Sequence, residues 1–166
     1  MLIIFSGLPG SGKSTLAQAV AKQLSAFYLR IDTIEQAILK AEEDDREMGP
    51  AGYFVAYSLA RENLLLGATV IADSVNPLVL TRDTYREIAL SASTGLLEIE
   101  IVCSDEVEHR KRVETRVSEV EGLTSPNWKD VTYLTYEPWN REHLILDSCS
   151  LSSDECVSRI INVISQ

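Results

Sequence analysis

The sequence predicts a three-layer α/β fold, a five-stranded parallel sheet with helices on both faces, and three observations carry that expectation. Short apolar runs of strand length alternate with segments of helical spacing along the 166 residues. The first run, Leu2 to Ser6, is apolar without a break, as expected for a parallel strand covered on both faces. Strand–helix alternation of this kind implies right-handed crossovers and a parallel sheet.

The elements follow in order. After the first strand, Ser14 to Ser25 carries Leu16, Ala19, Val20 and Leu24 at helical spacing. Phe27 to Ile31 is a second strand with Asp32 at its C-terminal end, and Thr33 to Ala41 reads as a helix. An acidic cluster from Glu42 to Glu47, then Gly49-Pro50, predicts a loop. Ala51 to Leu66 is a longer helix stopped by Gly67. Ala68 to Ala72 is a third strand, with Asp73 at its tip. Pro77 is expected to open a helix reaching Ser93. Leu96 to Val102 is a fourth strand, Asp105 to Glu119 a helix, Leu144 to Leu146 a short fifth strand, and Ser153 to Ser165 the last helix. Val120 to Asn140 is the least regular stretch, with the look of a substrate-covering segment. One domain spanning 1–166, with a lid around 105–140, accounts for the whole pattern.

Composition narrows the function classes. A formal charge of −10 repels nucleic-acid backbone and anionic membrane over most of the surface, yet leaves room for one local cationic site. No apolar run approaches the length of a membrane span. Cys103, Cys149 and Cys156 are an odd number without paired short spacing, which predicts reduced cysteines packed as small hydrophobes. A cytoplasmic location follows by default.

The strongest local signal is Gly7-Leu8-Pro9-Gly10-Ser11-Gly12-Lys13-Ser14, which satisfies G-x-x-x-x-G-K-[ST] at every fixed position. Its glycines let successive backbone N–H groups turn inward around an anion. The helix that follows adds the positive end of its dipole. Lys13 supplies a full charge between β- and γ-phosphates, and the Ser14 hydroxyl suits a magnesium ion. Chance would produce this pattern in roughly one chain of this length in 200, and here it follows an apolar strand and opens a helix. ATP with Mg²⁺ is the expected ligand.

Three classes use such a loop. A GTPase needs N-K-x-D and D-x-x-G, and neither tetrapeptide occurs. A motor ATPase needs an acidic pair closing a strand, whereas these strands end in single aspartates. A small phosphotransferase needs only the loop, an acceptor pocket and lid arginines. His109-Arg110-Lys111-Arg112 and Arg116 supply the cations. Arg112 and Arg116, four apart, are expected to share one helix face and to reach the transferring phosphoryl group. The alternative is a solvated basic face paired with Glu108 and Glu119.

The run from Phe5 to Leu16, including Thr15 beside the magnesium serine, resembles the opening of the small P-loop kinase-like ATPases. That group includes polynucleotide kinase, chloramphenicol phosphotransferase, zeta toxin and gluconate kinase. The resemblance extends to Leu29-Arg30-Ile31-Asp32, to Val70-Ile71-Ala72-Asp73-Ser74-Val75-Asn76 and to the Arg112/Arg116 pair. It implies the three-layer P-loop NTPase fold with strand order 2-3-1-4-5. It also implies that Asp32 is the base accepting the substrate hydroxyl proton, and that Asp73 lies near magnesium or substrate. From the residues alone, either aspartate can instead cap the helix that follows it. Asn76 reads as a turn former.

One departure bears on the acceptor. Several members of the group carry an arginine three residues after the base, where this chain has Glu35. An anionic acceptor such as nucleic-acid phosphate is therefore less supported than a neutral or cationic small molecule, although Arg61, Arg82 and Arg86 remain available to it. Trp128, Tyr133, Tyr136 and Trp139 suit either a stacked acceptor ring or a pin for irregular chain. The expectation is an ATP-dependent phosphotransferase acting on a small-molecule hydroxyl, the alternative a regulatory or toxin-like module whose hydrolysis is incidental.

Overall fold

The computed structural model describes residues 1–42 and 49–166. Five parallel strands, β1 (Leu2–Ser6), β2 (Phe27–Arg30), β3 (Val70–Asp73), β4 (Leu96–Val102) and β5 (Leu144–Asp147), lie in the order β2-β3-β1-β4-β5. Helices α1 (Lys13–Leu24), α2 (Ile31–Glu42), α3 (Ala51–Leu65), α4 (Val79–Ser91), α5 (Glu106–Thr115), α6 (Trp128–Tyr133) and α7 (Ser153–Ile164) join or follow them. The strand order is the expected one. Most of the Glu42 to Glu47 cluster lies outside the described residues.

All of β1 is buried, and its pleat sends alternate side chains to opposite layers. Ile3 and Phe5 pack with Leu16 and Val20 of α1 and with Cys156 and Ile160 of α7. Leu2 and Ile4 pack with Ala60 and Leu64 of α3 and with Tyr85 and Ile88 of α4. A central strand buried on both faces is what an uninterrupted apolar run demands.

On β4, Ile99 and Ile101 join the first of these layers, so Glu98 and Glu100 face the other. The chain from 136 to 143 supplies their partners. Arg141 grips Glu98 with Nε–Oε2 at 2.9 Å and Nη2–Oε1 at 2.6 Å, and also pairs with Asp83. His143 Nε2 lies 3.0 Å from Glu100. Trp139 stacks on His143 with centroids 3.9 Å apart, and the buried Arg82 guanidinium sits 4.5 Å above the Trp139 ring. Tyr136 and Trp139 thus pin irregular chain to the sheet. Arg82 and Arg86 are committed here rather than to an acceptor: Arg82 donates to the Glu137 carbonyl at 2.6 Å, and Arg86 pairs with Glu98. Arg61 is exposed on α3.

Four local expectations are corrected. Asp32 does not precede its helix but lies in the first turn of α2, which follows β2 without a linker. Pro77 does not open α4, which begins at Val79; the Pro77 carbonyl is taken by Glu137 N and Arg82, and the Glu137 carboxylate accepts the Val79 N–H. The helix expected to reach Glu119 stops at Thr115, because Arg116 is extended (φ −65, ψ 139). Finally, Cys103 and Cys149 are not reduced. They form a disulfide with Cα atoms 5.3 Å apart, and only Cys156 is free. The register pairs Val102 with Asp147, which brings the residues after β4 and β5 side by side across 46 residues of sequence. Linear spacing carries no trace of that.

Candidate active site

The phosphate loop runs from the end of β1 into α1, and its glycines have structural reasons beyond anion approach. Gly7 has φ 136, and a Cβ there would stand 2.2 Å from the Ile101 carbonyl oxygen of β4. Gly10 has φ 83, and a Cβ there would meet Val113 Cγ2 of α5 at 2.5 Å. Gly12, at φ 91, is the N-cap of α1 and offers no side-chain cap, which leaves the first N–H groups of the helix free for an anion. Leu8 closes a turn by accepting the Ser11 N–H at 3.2 Å. The Pro9 carbonyl lies 2.8 Å from His109 Nε2, so α5 is tied to the loop.

Above the loop lies a cavity of about 200 Å³ lined by Gly10, Gly12, Lys13, Ser14, Thr15, Arg30, Arg112, Arg116 and residues 117–119. Burial lowers the pKa of Lys13; Asp73 and Asp32 oppose that shift, and Arg116 and Arg30 reinforce it. Arg116 is likewise lowered by burial, with Asp32 opposing and Arg30 adding to the effect. Three cations therefore converge on one space, with Asp32, Asp73 and Glu119 around them, and such a convergence suits a polyphosphate. The Arg30 and Arg116 Nε atoms are buried without hydrogen-bond partners among the described residues.

The two lid arginines do not act as one face. Arg112 turns to Glu108 (2.9 Å) and to Ser148, whose hydroxyl receives Nη1 at 2.9 Å and whose carbonyl receives Nη2 at 3.3 Å. The Ser148 hydroxyl in turn lies 2.7 Å from the Ser11 carbonyl of the phosphate loop. A second cavity, of about 270 Å³, lies beyond Gly12 and is lined by Thr15, Leu16, Arg112, Ser148, Leu151 and Cys156 among others. Arg112 thus stands between two cavities, while Arg116 faces Asp32 and Arg30.

Asp32 is not in the lining of the phosphate cavity but pairs with a residue that is, its Oδ2 lying 3.5 Å from Arg30 Nε. Asp73, at the tip of β3, is almost wholly buried. Its Oδ2 accepts the Tyr28 hydroxyl at 2.6 Å, and its Oδ1 has no partner among the described residues. That orphaned oxygen, with the Ser14 hydroxyl, fits magnesium, which takes one or two protein oxygens and completes its shell with water and substrate phosphate. Among the described residues no group of three His, Cys, Asp or Glu side chains could hold a metal by itself.

On the far side of Asp32, α2 presents Glu35 one turn later, packed on Gly52 of α3 so closely that a Cβ there would lie 2.4 Å from Glu35 Cγ. Burial, then the Asp32 charge, pushes the Glu35 carboxyl up to about 7. Tyr53 adjoins it, and the Tyr53 hydroxyl accepts the Asn76 N–H at 3.3 Å. The Asn76 turn has φ 47 and is fully buried, with Nδ2 donating to the Phe5 carbonyl at 3.3 Å. The structure therefore brings Lys13, Ser14, Thr15, Asp32, Asp73 and Arg116 to one edge of the sheet, with Arg112 lining both the phosphate cavity and its neighbour. Sequence reasoning passed over Tyr28, Tyr53 and Ser148, which carry no motif and reach the site through β2, α3 and the loop after β5.

Comparison with known proteins bears on the family and the fold. The sequence profile of a family described as "AAA domain" matches residues 2–133. A probable adenylyl-sulfate kinase of Pseudomonas aeruginosa is 33% identical over 104 residues, spanning 57% of this chain and 45% of that protein. The chain thus spans less than half of that relative's length. A second probable adenylyl-sulfate kinase, from Aeropyrum pernix, is 27% identical across 99% of this chain and 92% of its own length. Among solved structures, an inferred kinase from Chloroflexus aurantiacus superposes with a TM-score of 0.78 at 22% identity, covering 99% of this chain and 95% of its own. The APS kinase of Mycobacterium tuberculosis, solved with AMPPNP and APS, superposes at 0.66 with 18% identity, covering 99% and 97%. Matching over four fifths of its length, and folded as the P-loop kinases are, the chain belongs to the AAA domain family in its small kinase-like form.

Proposed function

We propose that this protein transfers the γ-phosphoryl group of Mg-ATP to a hydroxyl of a small-molecule acceptor. The observation that carries the reading is the convergence of Lys13, Arg30 and Arg116 on one cavity above the phosphate loop, with Asp32 paired to Arg30. The kinase names of its relatives and the AMPPNP bound to a structural neighbour support ATP as the donor.

In this reading the loop amides from Gly7 to Thr15 and Lys13 hold the β- and γ-phosphates, and the purine enters the cavity beside Leu151. Ser14 and Asp73 would hold magnesium, which supplies charge neutralisation at the phosphate oxygens when bound. Asp32 aligns the acceptor O–H and takes its proton as the new P–O bond forms and the bond to the β-phosphate oxygen breaks, releasing ADP. Arg116 stabilises charge on the transferring group, and Arg112 fixes the loop that carries Ser148. The segment 105–140 serves as the lid of a single domain. We place the reaction in the cytoplasm, where ATP is available and where thiols can open the Cys103–Cys149 bond.

The test is ADP release and product mass with a panel of alcohols, sugars and nucleosides. Lys13→Ala should abolish stabilisation by Mg-ATP in a thermal melt, and Asp32→Asn should suppress acceptor-dependent turnover by about 100-fold or more. Hydrolysis that ignores every acceptor and survives Asp32→Asn would instead favour a regulatory module.

A further inference from the structure

We infer that Tyr28 is a positioning residue for magnesium, its hydroxyl holding the Asp73 carboxylate by one oxygen so that the other is left for the metal beside Ser14. This goes beyond the phosphotransferase reading and rests on its assignment of Ser14 and Asp73 to magnesium.

Strands β2 and β3 run parallel, with Tyr28 opposite Ile71 and Arg30 opposite Asp73. Side chains two apart on a strand share a face, so these four residues stand on one side of the sheet. Ile71 and Tyr28 both pack in the layer that α1 covers. From two residues back along its strand, the Tyr28 ring reaches diagonally to Asp73, a span across neighbouring strands that an aromatic side chain bridges. Its hydroxyl donates to Asp73 Oδ2 at 2.6 Å. Packing fixes the ring, and the ring fixes the oxygen.

Asp73 needs such a hold. The last torsion of an aspartate is broad and roughly two-fold, so a carboxylate at a strand tip can offer either oxygen. Magnesium tolerates little of that freedom, because it demands near-octahedral geometry with short bonds. Burial adds a second demand, since Asp73 is 1% exposed and a buried carboxylate must be hydrogen-bonded. Lys13 is the competing partner: Asp73 is the first of the charges that oppose the lowering of its ammonium pKa. An ion pair between them would cancel the negative charge that attracts the metal and the positive charge that faces phosphate. A neutral hydroxyl satisfies one oxygen and leaves both charges in place.

The same face of β2 carries a second contact of this kind. Two residues after Tyr28, Arg30 Nε lies 3.5 Å from Asp32 Oδ2. One strand thus holds both carboxylates to which the proposed reaction gives a role, with a neutral donor on the metal side and a cation on the side of the base.

The experiment is calorimetric titration of the full chain with AMPPNP, once in excess Mg²⁺ and once in EDTA. The ratio of the two dissociation constants reads what the metal adds to binding. Tyr28→Phe keeps the packed ring and removes the hydroxyl. It should weaken binding in Mg²⁺ by about ten-fold and move the constant in EDTA by less than about two-fold, which also reports that the site still forms. Asp73→Asn should shrink the metal's contribution at least as much, and adding Tyr28→Phe to it should change nothing further. Equal weakening by Tyr28→Phe in both conditions, no weakening in either, or an additive double variant makes Tyr28 a packing residue and overturns the inference. In those cases a contribution still lost with Asp73→Asn leaves the magnesium assignment standing. A contribution indifferent to Asp73→Asn sinks the assignment and the inference together.

Discussion

Arg30 Nε lies 3.5 Å from Asp32 Oδ2, while the same guanidinium reaches Glu119 at 3.4 Å through Nη1. Glu119 also accepts from Gln18 Nε2 of α1 at 3.2 Å. One largely buried arginine thus joins the end of β2, the proposed base and the segment after α5. Arg30→Gln removes a charge-assisted contact worth about 1.5–3 kcal/mol, so kcat should fall about 10- to 100-fold. Steady-state kinetics checks this: a loss confined to the KM for ATP would mean that Arg30 only binds phosphate.

Ser148 links the phosphate loop, β4 and α5 through contacts to Ser11, Val102 and Arg112. Ser148→Ala leaves the Ser11 carbonyl and the Arg112 guanidinium short of a partner. Mg-ATP should bind about 5- to 30-fold more weakly, corresponding to about 1–2 kcal/mol, as read by calorimetric titration. Stability without nucleotide should change less than affinity does.

The Cys103–Cys149 bond closes a loop of 46 residues that includes α5, α6 and β5. Cys103→Ser should lower stability by about 2–4 kcal/mol in the absence of reductant. Dithiothreitol should bring the wild type down to the melting point of the variant and leave the variant unmoved.

Glu35 makes a pH prediction with a definite sign. Its carboxyl is raised in the folded protein to about 7 from a usual 4.5, so the folded state favours the protonated form. That preference stabilises the fold fully below pH 4.5 and is lost as pH rises from there through 7. Glu35→Gln should flatten this decline. At pH 8 the variant should be the more stable by about 1 kcal/mol, a figure discounted for the half-exposed carboxylate. Urea unfolding at pH 4 and pH 8 measures it.

The strands and the phosphate loop were legible in the sequence because their signals are local. An apolar run such as Leu2 to Ser6 has one use in an α/β chain, and the glycines at 7, 10 and 12 with Lys13 describe a backbone shape within eight residues. Element ends were less legible. The stop at Thr115 comes with extended backbone at Arg116, and the late start of α4 depends on Glu137, some sixty residues further along.

What the sequence determined by itself was the donor half of the site, since an anion cradle built from consecutive amides needs no distant residue. What only the tertiary structure decided was the use of every long-range partner. Arg112 and Arg116 both line the phosphate cavity but turn to different partners, Arg112 to Ser148 and Arg116 towards Asp32. Cys103 and Cys149 meet because parallel strands end at a common edge. Glu35 acquires its chemistry from Asp32 within its own helix and from α3 packed against it. Burial and proximity between segments far apart in the chain are set by packing, and those two quantities fix charge, pairing and pKa in this site.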